Sequence, residues 1–176
     1  MTPADIAIAV EDPRWVETLP EVEALCRQAA IAALADAAHE LGPLPEGGLE
    51  VSLVLADDAM VQDLNLRYRG LDKPTNVLSF AALDDEDAPE PEDGPLLLGD
   101  VIIALETTVN EAAGEGKTVG DHLAHLVVHG VLHLLGFDHE DDDEAEEMEA
   151  KERLILGELG IADPYLETAE EPDEAR

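Results

Sequence analysis

Apolar residues recur along the chain with two spacings, and each spacing predicts a different type of element. Polar and apolar residues alternate at 5–10, which predicts an edge or half-buried strand. Three apolar runs predict further strands at 49–55, 76–81 and 96–105, the last with a bulge or close approach at Gly99. The pattern therefore predicts about four strands.

Apolar residues spaced three and four positions apart predict about five helices. The first covers about 19–41, and a cluster of glycines and prolines at 42–48 ends it. Strands and helices in this arrangement indicate an α+β fold, a roughly four-stranded mixed sheet packed by about five helices. The other helices are predicted at about 57–67, 106–113, 118–135 and 141–157.

The length of 176 residues favours one domain, which we place at 1–162. The stretch 84–95 is rich in acidic residues and proline, which predicts a solvated loop or a disordered insert. Residues 163–176 are predicted to be an acidic, disordered tail. The 84–95 stretch is expected to lie outside any functional site.

Composition narrows the class of protein. No apolar run approaches the eighteen or so residues that cross a bilayer, so no membrane association is expected. The N-terminus lacks the basic region of a signal peptide, which favours a cytoplasmic protein. Cys26 is the only cysteine, so a thiolate metal cage is excluded and a core position is expected for it.

The net charge of −34 comes from 43 acidic and nine basic residues. A field of that sign repels nucleic-acid phosphate at long range and attracts cations. A solubility or high-salt adaptation spread over the surface explains it better than a functional acidic patch. Three basic residues nevertheless lie within seven positions, and an anionic ligand would bind there: Arg67, Arg69 and Lys73.

Histidines are concentrated near one predicted helix end. His129 and His133 are one helical turn apart, a spacing that lets two imidazoles bind one Zn²⁺. Gly136 can stop the helix, so that the chain returns His139 as a third ligand. Three nitrogen ligands leave the fourth position of a single zinc ion to water, as in catalytic sites. The alternative is that these are buried or surface histidines without a metal.

Two neighbouring residues have less specific roles. A position in the core or beside the metal ligands is favoured over direct ligation for His125. Asp138 could orient an imidazole, and it would look the same as a surface turn residue.

Gly130 occupies the position that holds the glutamate base in zinc peptidases of the HExxH type. A glycine inside a helix costs about 1 kcal/mol relative to alanine, which indicates a close approach of backbone or ligand. Without that base a peptidase is disfavoured. A phosphodiester is a more natural substrate, because an arginine can hold the charge that develops on its oxygens.

Four segments match a known family: NLRYR at 65–69, DKPTNVLSF at 72–80, LGDVII at 98–103 and HGVLHLLGFDH at 129–139. Through them the chain resembles the YbeY family of metal-dependent endoribonucleases. The resemblance implies cleavage of single-stranded RNA in rRNA maturation, chiefly at the 3′ end of small-subunit rRNA, and in ribosome quality control. It further implies Arg69 as the catalytic residue, His129, His133 and His139 as ligands of one Zn²⁺, and rRNA and a ribosomal or ribosome-associated protein as partners.

Three functional hypotheses follow. The first is cleavage of an RNA phosphodiester in a cleft between the third strand and the histidine helix, with Arg69 paired to the phosphate. The second is a non-catalytic ribosome assembly factor stabilised by its metal. The third is a zinc hydrolase of peptides or small molecules.

Overall fold

The strand that comes third in the chain lies at an edge of the sheet, beside the fourth strand. The computed structural model describes residues 4–37, 48–81, 96–137 and 141–161. In these ranges the strands are β1 (Ala4–Val10), β2 (Leu49–Ala56), β3 (Val77–Ala81) and β4 (Leu96–Ala104). Their order in the sheet is β1-β2-β4-β3. The β1–β2 and β2–β4 pairs are parallel and β3–β4 is antiparallel, so the predicted mixed, four-stranded sheet is confirmed.

Six helices accompany the sheet in the described part of the chain. Five of them lie where the apolar spacing predicts helices, and the α+β class is confirmed. None of the helices in the described ranges has the length and apolarity needed to cross a membrane. The helices are α1 (Arg14–Thr18), α2 (Val22–Ala37), α3 (Asp58–Arg69), α4 (Leu105–Glu115), α5 (Val119–Leu134) and α6 (Asp142–Glu158).

Helix α1 was not predicted, because five residues are too few to show a helical period. Its Trp15 is fully buried, and the indole N–H donates to the carbonyl of Ala56 at 2.9 Å. A tertiary contact therefore fixes this turn. Other predictions cannot be compared, since the end of the first predicted helix, the 84–95 stretch and the 163–176 tail lie outside the described residues.

Strand β4 contains the irregularity predicted at Gly99. Leu97 pairs with Glu50 and Gly99 with Val51, so Leu98 is an extra residue in β4. Gly99 has φ 140°, a conformation that glycine adopts readily. The predicted bulge is confirmed.

Helix α5 is the central helix of the fold. It packs against α2, α4 and α6 and against strands β3 and β4. Cys26 of α2 belongs to the same core, as expected, and burial raises the pKa of its thiol to about 12. The site histidines thus stand on a helix held from several sides. Its buried apolar side chains are Leu123, Ala124, Leu126, Val127, Val128, Val131, Leu132 and Leu134.

Candidate histidine and arginine cleft

Helix α5 presents its histidines along one side. Thr118 caps the start of the helix, and its hydroxyl accepts from the N–H of Asp121 at 3.0 Å. Ring centroids are 6.4 Å apart between His125 and His129, and 4.7 Å apart between His129 and His133. The two predicted ligands on this helix therefore lie beside each other, as their spacing requires.

A cleft of about 430 Å³ lies between β3 and α5. It brings together Arg69 from the end of α3 with His129 and His133, three of the predicted site residues. The rest of the lining comes from β3 and the residue before it: Asn76, Val77, Leu78, Ser79 and Phe80.

His139 and Asp138 lie outside the described residues. Their predicted roles, as third ligand and as a possible orienting group, therefore stay predictions. The helix does end where expected: α5 stops at Leu134, and Gly136 adopts φ 103°.

Gly130 allows α5 to lie directly against the sheet. A Cβ atom at this position would be 2.6 Å from Cγ1 of Val101 and 3.2 Å from Oγ of Ser79. The Ser79 hydroxyl also donates to the Gly130 carbonyl at 3.4 Å. The close approach predicted here is therefore an approach to strand side chains, and it sets how near His129 lies to β3.

A buried carboxylate joins two of the histidines. Glu152 of α6 places Oε1 2.8 Å from Nε2 of His125 and Oε2 2.7 Å from Nδ1 of His129. When Glu152 is ionised its oxygens only accept hydrogen bonds, and both ring nitrogens that face it then carry hydrogen. The Nε2 of His129 is then the nitrogen through which this ring could bind a metal ion.

The sequence reasoning missed Glu152, although a signal was present. Glu152 lies four residues after Met148 and three before Ile155, both buried. A charged residue on the apolar side of a helix is rarely buried unless it is paired. His125, for which a position beside the ligands was favoured, shares this carboxylate.

A buried histidine, His122, supports the wall of the cleft. His122 Nε2 lies 2.8 Å from Oε1 of Glu111, and the same oxygen accepts from Nδ2 of Asn76 at 3.0 Å. Asn76, in the cleft lining, is thereby tied to α4. Burial alone would raise the pKa of nearby Glu115, but the hydrogen bond from Lys117 and neighbouring charges lower it.

Two of the three clustered basic residues lack an acidic partner among the described residues. Arg67 pairs with Asp63 at 3.1 Å, one turn back along α3. No ion pair forms to Arg69 or Lys73 in the described part of the chain. In a protein of charge −34, the cleft thus contains an arginine, Arg69, that has no acidic partner within the described ranges.

The described residues provide part of a zinc site. Within the described ranges, no group of three histidine, cysteine or acidic side chains is arranged to hold a metal ion. The pair His129 and His133 fits the two-histidine part of such a site, because the rings are adjacent and a carboxylate orients one of them.

Fold and site together define an α+β protein with a cleft lined by histidine and arginine, supported by a buried carboxylate. The chain belongs to the YbeY endoribonuclease family, since the family model described as "Endoribonuclease YbeY" matches residues 17–160.

Curated relatives agree with this assignment. An Endoribonuclease YbeY from Paramagnetospirillum magneticum is 58% identical over 92% of this chain and 95% of its own length. One from Azorhizobium caulinodans is 54% identical over 94% and 99%. A solution structure from Thermotoga maritima covers 97% of this chain and 99% of its own, at 21% identity and TM-score 0.48, a likeness too distant to add to the assignment.

Proposed function

We propose that this protein is a zinc-dependent, single-strand-specific endoribonuclease of the cytoplasm that acts in rRNA processing and ribosome quality control. Its expected substrate is the 3′ end of small-subunit rRNA. The family assignment and the relatives named as endoribonucleases support the RNA-cleaving activity. The observation that carries the proposal at the level of residues is the shared cleft of Arg69, His129 and His133.

In this proposal, different side chains bind the metal and the phosphate. His129 and His133, with His139, would hold one zinc ion, and Glu152 would keep the His129 ring in place. The bound ion supplies an activated water or a polarised phosphate oxygen. Arg69 lies in the same cleft and would pair with the phosphate, stabilising the charge that develops on its oxygens.

The overall charge argues for a partner that presents the substrate. A protein of charge −34 repels free RNA, because non-specific affinity for nucleic acid depends on neutralising phosphates. Arg69 provides attraction at the cleft, and Lys73 follows the same helix a few residues later. We infer that a ribosomal or ribosome-associated protein holds this enzyme against its rRNA substrate.

Arg69→Ala and Arg67→Ala form a matched pair for testing the site. Both arginines are exposed on α3, but only Arg69 lines the cleft. We expect R69A to lose about 10²- to 10³-fold in the rate of cleavage of single-stranded RNA, as for removal of one transition-state donor. R67A should cleave at nearly the unsubstituted rate, and both variants should keep the zinc content measured by mass spectrometry.

Chelation distinguishes this function from its rivals. Cleavage should stop with chelator and return with zinc, and a contaminating nuclease would be recognised because R69A would leave it unchanged. Equal loss of zinc and activity in R69A would contradict the separate roles. Unfolding on chelation without cleavage by any preparation would favour a metal-stabilised assembly factor. Cleavage of a peptide instead of RNA would favour a zinc hydrolase of another class.

A further inference from the structure

An exposed aromatic ring stands at the edge of the cleft without a role in the site so far described. Tyr68 is 67% exposed, more than any other exposed large hydrophobic residue in the described part of the chain. Its ring meets the ring of Phe80 edge-on, with centroids 5.4 Å apart and an interplanar angle of 63°. Because Phe80 lines the cleft, Tyr68 extends the cleft wall outward.

Aromatic residues are scarce in this chain, which makes their placement informative. The protein has two tyrosines, two phenylalanines and one tryptophan. Trp15 is fully buried in the core, whereas Tyr68 and Phe80 are paired at the cleft. An aliphatic side chain would be enough to cover Phe80. Covering Phe80 therefore does not explain a large ring that leaves two thirds of its own surface in water.

The charge around Tyr68 indicates what kind of molecule the ring would meet. Tyr68 directly precedes Arg69, and Lys73 follows the end of the same helix. These are the two basic residues of the earlier cluster with no ion pair among the described residues, while Arg67 is compensated by Asp63. A flat aromatic surface beside Arg69, a cation without an acidic partner in the described part of the chain, suits a ligand that has both a planar ring and a phosphate.

We propose that Tyr68, backed by Phe80, is a stacking site for one unpaired base of the RNA substrate, next to the phosphate held by Arg69. This inference rests on the proposed function and deepens it. Every base has a π-face, so stacking of this kind tolerates any sequence. It does require a base that has left its own stack, so the site favours single strands, loops and ends over duplex RNA.

The test distinguishes binding of the base from binding of the phosphate backbone. Binding of a short, labelled single-stranded RNA is measured by fluorescence anisotropy at fixed low salt, next to an abasic oligonucleotide of equal length. We expect Tyr68→Leu to weaken binding of the base-bearing RNA roughly five- to hundredfold, in line with base–aromatic stacking. Its binding of the abasic oligonucleotide should be unchanged, and Tyr68→Phe should restore the preference for bases.

Leu66→Ala is the matched control, since Leu66 is also exposed on α3 and has no aromatic ring. It should bind both oligonucleotides as the unsubstituted protein does. Equal weakening of both by Y68L, or no weakening of either, would overturn the stacking site. Base-dependent binding through Tyr68 in a protein that fails to cleave RNA would uphold the site and reject the proposed enzyme. If Y68L cleaves RNA and binds both oligonucleotides as the unsubstituted protein does, the proposed enzyme is upheld and the stacking site is rejected.

Discussion

Glu152 has one carboxylate oxygen on His125 and the other on His129. Burying a carboxylate costs free energy unless its oxygens are hydrogen-bonded, and here each oxygen has an imidazole partner. The same contacts fix which nitrogen of His129 carries hydrogen. A residue on the last described helix thus determines the orientation of a proposed zinc ligand on the central helix.

Replacing Glu152 with glutamine should weaken zinc binding. The amide keeps the size of the side chain but puts an N–H₂ group opposite one ring, which loses its acceptor. We expect E152Q to lower zinc affinity about 10- to 100-fold, as loss of a group orienting a metal-bound histidine generally does. Competition against a zinc-binding dye measures the change.

Glu149→Gln provides the control for charge. Glu149 lies on the same helix and is partly exposed, 3.7 Å from Arg153. It should bind zinc as tightly as the unsubstituted protein. Equal zinc affinity of E152Q and E149Q would contradict the positioning role of Glu152. So would two variants that differ only in the thermal unfolding of their metal-free forms.

At the scale of elements, the approach of α5 to the sheet depends on Gly130. The tightest contact is with Val101 of β4, which is fully buried and has little room to move. This contact determines the width of the cleft, because His129 and His133 stand on α5 while Ser79 and Phe80 stand on β3.

Gly130→Ala should destabilise the fold although alanine is the better helix former. Overpacking costs about 1–3 kcal/mol, and helix propensity returns about 1 kcal/mol. We expect a net loss of up to about 2 kcal/mol in the free energy of unfolding, measured with denaturant. Adding Val101→Ala should make the effect of G130A smaller than it is in the parent chain.

Gly157 of α6 gives the opposite expectation for the same substitution. Apart from its chain neighbours and the backbone of its own helix, no heavy atom of the described residues lies within 4 Å of a Cβ placed there, so Gly157→Ala should stabilise by about 0.5–1 kcal/mol. Stabilisation by G130A as large as that by G157A would show that the contact with Val101 is not restrictive.

At the scale of the whole molecule, charge is expected to limit stability. With 43 acidic and nine basic residues, repulsion among carboxylates outweighs the attraction of the few ion pairs. Salt screens these exposed charges, since the Debye length falls to about 10 Å at 0.1 M ionic strength.

Raising sodium chloride from low to moderate concentration should therefore raise the Tm. A gain of about 1 kcal/mol would correspond to about 2–4 °C for a chain of this length. Differential scanning fluorimetry measures the shift, and potassium chloride should give the same one if screening is the cause. A fall of Tm with both salts would mean that the ion pairs, such as that of Arg14 with Asp12 and Glu106, dominate instead.

The features that could be predicted from the sequence are those that depend on residues close together in the chain. The four strands, five of the helices and the end of α5 shortly before Gly136 follow from periodicity and glycine chemistry. The short helix α1 was not predicted, because only its contact with Ala56 reveals it. The role of Glu152 was not predicted, because its charge alone does not show which side chains it will contact.

The sequence by itself determined the elements, the one-turn spacing of His129 and His133, and the family to which the chain belongs. Side-chain direction along a helix or strand depends on near neighbours, so these features are encoded locally. Tertiary structure alone decided the strand order, the meeting of Arg69 with the histidines and the contact of Glu152 with His129, 23 residues away. Such contacts depend on how whole elements pack, and no local pattern specifies that packing.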